Sequence, residues 1–189
     1  MKLKLLANKV ISFSVNRVIE IIGVIILITG ILLLFSLITF SPDDPNFIFP
    51  NDTEIKNILG FRGSFTADIF FQSFGLIATL IPFSLMASGL NIIINKKIFL
   101  IIESFFYIIL YSLIGSLFLS FFYPLAFKLY INGNGGFVGR YLETTFLNSM
   151  INSNPQIFYY ILLLTILFLF LFSTQFKLNS FYKFIKKLF

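Results

Sequence analysis

Two adjacent aspartates, Asp43 and Asp44, form the most distinctive polar motif of the chain, in the stretch ITFSPDDPNF. Carboxylates grouped in this way can bind a partner, or they can simply be solvated in a turn. Pro42 and Pro45 hold the residues before them out of the α-helical region, so a helix arriving from the N-terminal side must end near Phe40. The two aspartates are therefore interpreted either as part of a turn or as a partner-binding site.

One acid, Glu103, lies inside an apolar run, and an ionisable residue in that position is a candidate for function. It stands five residues after Ile98, about 7–8 Å deep at the helical rise, so its side chain can reach the headgroups or pair with Lys96. Reaching the membrane surface is the favoured interpretation. The alternative is a small transporter or channel component, for which Glu103 and a kink at Pro82 would be the functional features.

Most catalytic chemistry is excluded by composition, because the 189 residues contain no cysteine and no histidine. Thiolate, zinc-finger and imidazole chemistry are excluded together. The glycine-rich stretch NGNGG resembles a phosphate cradle, yet neither G-x-x-x-x-G-K-[ST] nor G-x-G-x-x-G after a strand occurs. An intramembrane enzyme would also need a second carboxylate beside Glu103. We predict no catalytic residue, no metal site and no cofactor.

Long apolar blocks must position these side chains, since 58% of the residues are hydrophobic, 12% are charged and the mean hydropathy is +0.95. A bilayer core needs about 20 apolar residues per helix, and unpaired backbone groups are not tolerated there. The first block is too long for a signal peptide, so we expect it to be retained. The prediction is an all-α polytopic membrane protein with four transmembrane helices, at about 21–40, 69–94, 98–123 and 157–176.

The positive charge indicates the orientation of this four-span domain, residues 21–176. An N-terminal segment, 1–20, and a basic tail, 177–189, flank it. Ten of the fourteen basic residues fall on the side of the termini, so both termini are predicted to be cytoplasmic. The net charge of +6 is then explained by contact with anionic lipid, and no direct binding of nucleic acid is expected. The ten are Lys2, Lys4, Lys9, Arg17, Lys96, Lys97, Lys177, Lys183, Lys186 and Lys187.

The second span begins after a predicted tight turn that contains Gly60 and Gly63. Asp68 follows this turn and is interpreted as a helix-start residue that interacts with the helix dipole. Pro82 should kink the span and leave a carbonyl free near residue 78. Small-residue pairs at a spacing of four indicate possible helix–helix interfaces: Ser84 with Ser88, and Ser112 with Ser116.

The second outward loop, 124–156, is expected to contain a short amphipathic helix after Gly136. It would lie on the membrane interface or pack over the bundle. The residues predicted to share its apolar face are Phe137, Val138, Tyr141, Leu142, Met150 and Ile151.

Two loop segments carry a family resemblance. The runs LLLFSLITFSPDDPNF and NILGFRGSFTADIFFQSFGLIATLIP, with GGFVG further on, resemble the N-terminal four-span membrane domain of the FtsK/SpoIIIE DNA translocase family over about residues 20–176. After GGFVG the chain departs from that pattern and reads NSMINSNP. The matching positions in the first two runs are Thr39, Phe40, Ser41, Asp44, Pro45, Asn57, Gly60, Gly63, Ala67, Asp68, Phe74, Gly75 and Pro82.

The resemblance implies a membrane anchor, at the division septum of the bacterial inner membrane, for a machine that moves chromosomal DNA. It also implies membrane lipid, further copies of the chain, division proteins and an ATPase motor as partners. No Walker motif is present in the chain, so we expect the motor to be encoded separately or lost from a truncated gene. The candidate interaction residues are Asp43, Asp44, Pro45, Gly60, Gly63, Asp68, Gly135, Gly136 and Gly139.

Overall fold

The computed structural model of the chain describes residues 2–45, 54–124 and 132–175, and within these ranges the regular structure is entirely helical. Four units are long and apolar enough to cross a membrane: Lys9–Ile38, Gly60–Asn95, Phe99–Phe122 and Pro155–Ser173. The predicted all-α, four-span class is confirmed. The helices are α1 (Lys2–Ile38), α2 (Gly60–Phe74), α3 (Ile81–Asn95), α4 (Phe99–Phe122), α5 (Gly136–Glu143), α6 (Phe146–Ser153) and α7 (Pro155–Ser173), with a 3₁₀ segment at Gly75–Leu80.

Helices α1 and α3 run antiparallel in close contact, which glycines make possible. A Cβ atom on Gly89 would lie 2.7 Å from the backbone nitrogen of Leu27 and 2.8 Å from the carbonyl oxygen of Gly23. Further along, a Cβ on Gly30 would meet the backbone nitrogen of Met86 at 3.0 Å. Small residues let helix backbones approach in a membrane, where dispersion rather than water drives association. These glycines set the α1–α3 spacing.

The second spanning unit is interrupted at Gly75, and the predicted kink at Pro82 is wrong. Gly75 has φ +67° and ψ −150°, a conformation that ends α2, and Pro82 lies in the first turn of α3. Proline is tolerated in a first helical turn because its missing N–H has no partner there. The carbonyl of Ala78 is not free, since it accepts a hydrogen bond from the N–H of Ile81.

Helix α2 crosses α1 obliquely instead of running back along it. Ser36 of α1 bonds to Gly63 of α2, and four residues later the rings of Phe40 and Phe71 lie 4.8 Å apart. A contact further along the first segment is therefore also further along α2. In an antiparallel pair, it would be nearer the start of α2. The antiparallel partner of α1 is α3.

A cluster of hydroxyl groups joins α3, α4 and α7 inside the bundle. Ser84 hydrogen-bonds to Tyr111 at 3.1 Å and to Ser173 at 2.6 Å, and Ser104 donates to the carbonyl of Ser173 at 2.9 Å. The serines of the pairs Ser84/Ser88 and Ser112/Ser116 are each at most 1% exposed. Both pairs are therefore buried within the chain, and the helix–helix interfaces that they indicate are internal to the bundle.

Replacing Ser84 by alanine should lower the free energy of unfolding by about 1 kcal/mol, because interhelical hydrogen bonds in membranes contribute about 0.6–1.7 kcal/mol. Ser88 is the matched control. It lies one turn further along α3, is equally buried, and its hydroxyl has no partner among the described residues. Ser88→Ala should be neutral or slightly stabilising. Unfolding in mixed micelles measures both, and equal effects would contradict a role for the cluster.

Candidate interaction site

Asp44 is the centre of a buried arrangement at the junction of α1 and α2. Its side chain is 3% exposed, and its two carboxylate oxygens accept the backbone N–H groups of Lys56 at 2.8 Å and Asn57 at 2.9 Å. Charge-assisted bonds of this kind are stronger than neutral ones. The Asp44 carboxylate therefore holds the chain that enters α2 against the end of α1.

Asn57, in the segment just before α2, completes this arrangement. Its amide nitrogen donates to the carbonyl of Ser36 at 2.9 Å, and its side-chain oxygen accepts the N–H of Leu59 at 3.1 Å. The Ser36 hydroxyl donates to the carbonyl of Gly63 at 2.6 Å. A Cβ on Gly63 would lie 2.1 Å from the Asn57 oxygen. We call the set Ser36, Asp44, Asn57 and Gly63 the Asp44 clasp.

Of the two aspartates only Asp43 is presented to the outside. Its side chain is 74% exposed and pairs with the Lys56 ammonium at 3.1 Å. Because the Asp44 carboxylate is buried, direct contact with a partner would require the clasp to open. The predicted end of the first helix near Phe40 is confirmed, since α1 ends at Ile38, two residues before Phe40.

A second close arrangement joins the Gly75 interruption to the glycines of the outward loop. A Cβ on Gly75 would lie 1.9 Å from the carbonyl oxygen of Asn134, and one on Gly136 would lie 2.5 Å from the backbone nitrogen of Gly75. The N–H of Leu76 donates to the Asn134 carbonyl at 2.9 Å. We call the set Gly75, Asn134, Gly135, Gly136 and Gly139 the glycine junction.

The glycine junction rests on α4. A Cβ on Gly135 or Gly139 would lie 2.4 or 2.2 Å from the carbonyl oxygen of Ser116, and the Ser116 hydroxyl donates to the carbonyl of Phe74 at 2.9 Å. Asn134 is fully buried; its amide nitrogen donates to the carbonyl of Tyr123, while its side-chain oxygen has no partner among the described residues. The loop glycines thus provide close packing of backbone on backbone.

The predicted helix after Gly136 forms as two short helices, α5 and α6, and α5 packs on the bundle. Its inner face is not the predicted apolar one, because Gly136 and Gly139 are buried while Phe137 is 62% exposed and Tyr141 is 63% exposed. Close approach to the α4 backbone requires residues without side chains, so the bulky residues face outward. Of the predicted apolar face, Ile151 in α6 is buried, at 2% exposure.

Asp68 is not a helix-start residue, because α2 begins eight residues earlier at Gly60. Gly60 lies in the predicted tight turn: it has φ +65°, and its N–H donates to the carbonyl of Asn57 at 2.8 Å. Asp68 lies buried in the middle of α2, one helical turn before Gln72. Asp68 is therefore part of the buried face of α2.

Glu103 does not pair with Lys96. The Lys96 ammonium contacts Glu20 of α1 at 2.8 Å, and Glu20 also pairs with Arg17. Glu103 is exposed and borders a small crevice with Asn91 and Gln175. Within the described residues no group of three acidic, histidine or cysteine side chains could hold a metal ion.

Sequence reasoning missed Ser36, Asn134 and Glu20. Ser36 stands in an apolar helix without any local signal, and its role depends on Gly63, 27 residues away. Asn134 carries no sequence signal of burial, because asparagine among glycines is typical of an ordinary turn. Glu20 directly precedes the first apolar run, and its sequence context does not reveal that it pairs with the distant Lys96.

Comparison with known proteins gives a family match and two similar proteins. The sequence model of the family described as the 4TM region of DNA translocase FtsK/SpoIIIE matches residues 15–186. The DNA translocase FtsK of Rickettsia bellii (strain RML369-C) is 33% identical over 84 residues, 44% of this chain and 10% of that protein. The DNA translocase FtsK of Rickettsia typhi (strain ATCC VR-144 / Wilmington) is 29% identical over 84 residues, 43% of this chain and 11% of that protein. The chain thus matches about a tenth of the length of these relatives. No solved structure matches it.

Proposed function

The chain belongs to the family of the 4TM region of DNA translocase FtsK/SpoIIIE, and from this membership we propose that it anchors an FtsK-type translocase in the membrane for cell division and chromosome partition. The observation that carries the proposal is the family match over residues 15–186. The four spanning units found in the described residues agree with it. The DNA-translocating activity is assigned to an ATPase motor that these 189 residues do not contain, since the sequence holds no Walker motif.

The proposed orientation has both termini in the cytoplasm of a bacterial inner membrane. The excess of lysine and arginine on that side supports it. The Asp44 clasp and the glycine junction then lie on the outer face, away from DNA. Residues that stay exposed there, among them Asp43, Phe137 and Tyr141, are available to other division proteins or to further copies of the chain.

The test is the position of a fluorescently tagged chain in dividing bacteria. We expect the wild-type chain to gather at midcell and the double variant Phe137→Ala, Tyr141→Ala to spread around the envelope. Phe168→Ala is the matched control, because this aromatic residue is similarly exposed, at 55%, on α7. It should still gather at midcell.

An even distribution of the wild-type chain would contradict the septal role. Solute or ion flux in proteoliposomes, abolished by Glu103→Gln, would instead identify a transporter or channel component. Absence of flux together with midcell localisation supports the anchoring function.

A further inference from the structure

An open apolar groove of about 730 Å³ lies between α1, α2 and α4, with α3 at its base. Its walls are mainly aliphatic and aromatic, including Leu33, Phe70, Leu85 and Ile108. The volume is in the range of small-molecule sites, about 300–1,000 Å³. The groove is therefore large enough for part of a ligand and has an apolar lining.

The contacts of α1 indicate where the groove lies across the thickness of the membrane. Glu20 pairs with Lys96 near one end of the spanning part of α1, and Phe40 contacts Phe71 at the other. The twenty residues between correspond to about 30 Å, the thickness of the hydrocarbon core. On α1 the groove is lined from Ile26 to Ser36, so it extends from about 9 to about 24 Å on this scale. It therefore crosses the middle of the bilayer, spans about half of its thickness, and ends about 6 Å below the level of Phe40 on the side of the Asp44 clasp.

A cation stands at the mouth of this groove. Arg62, in the first turn of α2, lines it and is exposed, and its guanidinium has no ion pair among the described residues. Its neighbour Gly63 contacts Ser36, which places Arg62 close to the headgroup level of the nearer leaflet. Arginine binds phosphate through several parallel hydrogen bonds.

A buried hydroxyl lies slightly deeper in the groove. Ser112 of α4 is 1% exposed, lines the groove and has no hydrogen-bond partner for its hydroxyl within the described ranges. Ile98 lies beside Lys96, which pairs with Glu20, so distances along α4 can be counted from Ile98 on the same scale. Ser112 is then at about 21 Å, slightly below Ser36 at about 24 Å. A buried donor without a partner in an apolar wall is costly, so an acceptor from a ligand would stabilise it.

We propose that this groove binds a phospholipid of the nearer leaflet, with one acyl chain between α1 and α4. The phosphate lies on Arg62, and the Ser112 hydroxyl donates to an ester carbonyl. The spacing favours lipid over a helix, because a spanning helix needs a contact surface about 30 Å long and the groove provides about half of that. The proposal does not depend on the septal role, because it concerns the membrane that any such bundle occupies.

The position of the acyl chain is tested by photocross-linking. The full chain is placed in nanodiscs containing phosphatidylglycerol with a diazirine in the acyl chain, and labelled peptides are mapped by mass spectrometry. We expect labelling concentrated in residues 26–36 and 105–112, well above that of the lipid-exposed α7. Thr29→Phe, which fills the groove, should abolish the excess. Ile28→Phe, on an exposed residue outside the groove, should not.

The phosphate contact is tested by native mass spectrometry of the purified chain titrated with phosphatidylglycerol. Arg62→Gln should weaken binding about tenfold, since charge-assisted bonds are among the stronger ones. Arg140→Gln removes an arginine outside the groove and should leave binding unchanged. Uniform labelling of all lipid-facing residues, or equal binding by the two arginine variants, would overturn the proposal. Cross-links to a second copy or to a co-purified protein would identify a helix as the occupant and overturn it too.

Discussion

Gly75→Ala should destabilise the protein more than the same substitution at any other described glycine, by more than about 4 kcal/mol. Two independent causes act at this position. Gly75 has φ +67° and ψ −150°, a region of backbone space that is essentially restricted to glycine. The added Cβ would also lie 1.9 Å from the carbonyl oxygen of Asn134, and backbone cannot move aside as a flexible side chain can. Thermal unfolding in detergent measures the loss, and the purified yield should fall with it.

Gly60→Ala is the control for a positive φ without a close contact. Gly60 has a similar φ, +65°, but a Cβ there would meet nothing within 4 Å. Its substitution should cost only the left-handed backbone term, about 1–2 kcal/mol. The difference between the two variants comes from the contact between the Gly75 interruption and the outward loop, together with the glycine-restricted ψ of −150° at Gly75. Equal losses in the two variants would show that this contact does not hold the loop.

The spans themselves could be predicted from the sequence because lipid imposes one rule on every backbone group. A charge-free block of about 20 residues must be helical to satisfy its N–H and C=O groups. The interruption of the second span could not be located in the same way. Proline disrupts a helix interior more strongly than glycine, yet Pro82 lies in the first turn of α3, where it is tolerated. The helix is interrupted at Gly75 instead, where Asn134 occupies the space beside the backbone.

The polar residues of the loop end were harder to interpret, because their partners are distant in sequence. The two prolines correctly predict the end of α1, a local property of the chain. They do not reveal that Asp44 is buried and Asp43 exposed, which depends on the backbone N–H groups of Lys56 and Asn57. The same holds for Glu103 and Lys96, since Glu20 takes the place of Glu103 in the ion pair.

Several of the positions that carry the family resemblance lie in the two arrangements at this end of the bundle. Asp44, Asn57 and Gly63 belong to the Asp44 clasp, and Gly75 belongs to the glycine junction. Thr39 adds a further link, because its hydroxyl accepts the N–H of Ile58 at 3.3 Å. These residue types are therefore explained by the geometry that joins α1, α2 and the outward loop. We propose that interaction with a partner belongs to their exposed neighbours.

Asp44→Ala should lower the free energy of unfolding by about 2–4 kcal/mol and open the loop before α2. The substitution removes both acceptors and leaves the N–H groups of Lys56 and Asn57 without partners in a partly or fully buried site. The peptide bonds after Lys56 and Arg62 should then become accessible, so limited trypsin digestion of the reconstituted chain should be faster than for the wild type. Membrane insertion should be unaffected, because it depends on the apolar blocks.

Asp43→Ala is the matched control for the clasp, since it removes the neighbouring carboxylate from an exposed ion pair, which contributes little to stability. Its unfolding midpoint and its digestion rate should equal those of the wild type. The pair of variants also separates structure from recruitment at midcell. If Asp44→Ala alone disperses, the motif acts through the shape of the loop end, and if Asp43→Ala alone disperses, the exposed carboxylate contacts a partner. Unchanged stability and digestion of Asp44→Ala would contradict the clasp, because two buried donors cannot lose a charged acceptor without cost.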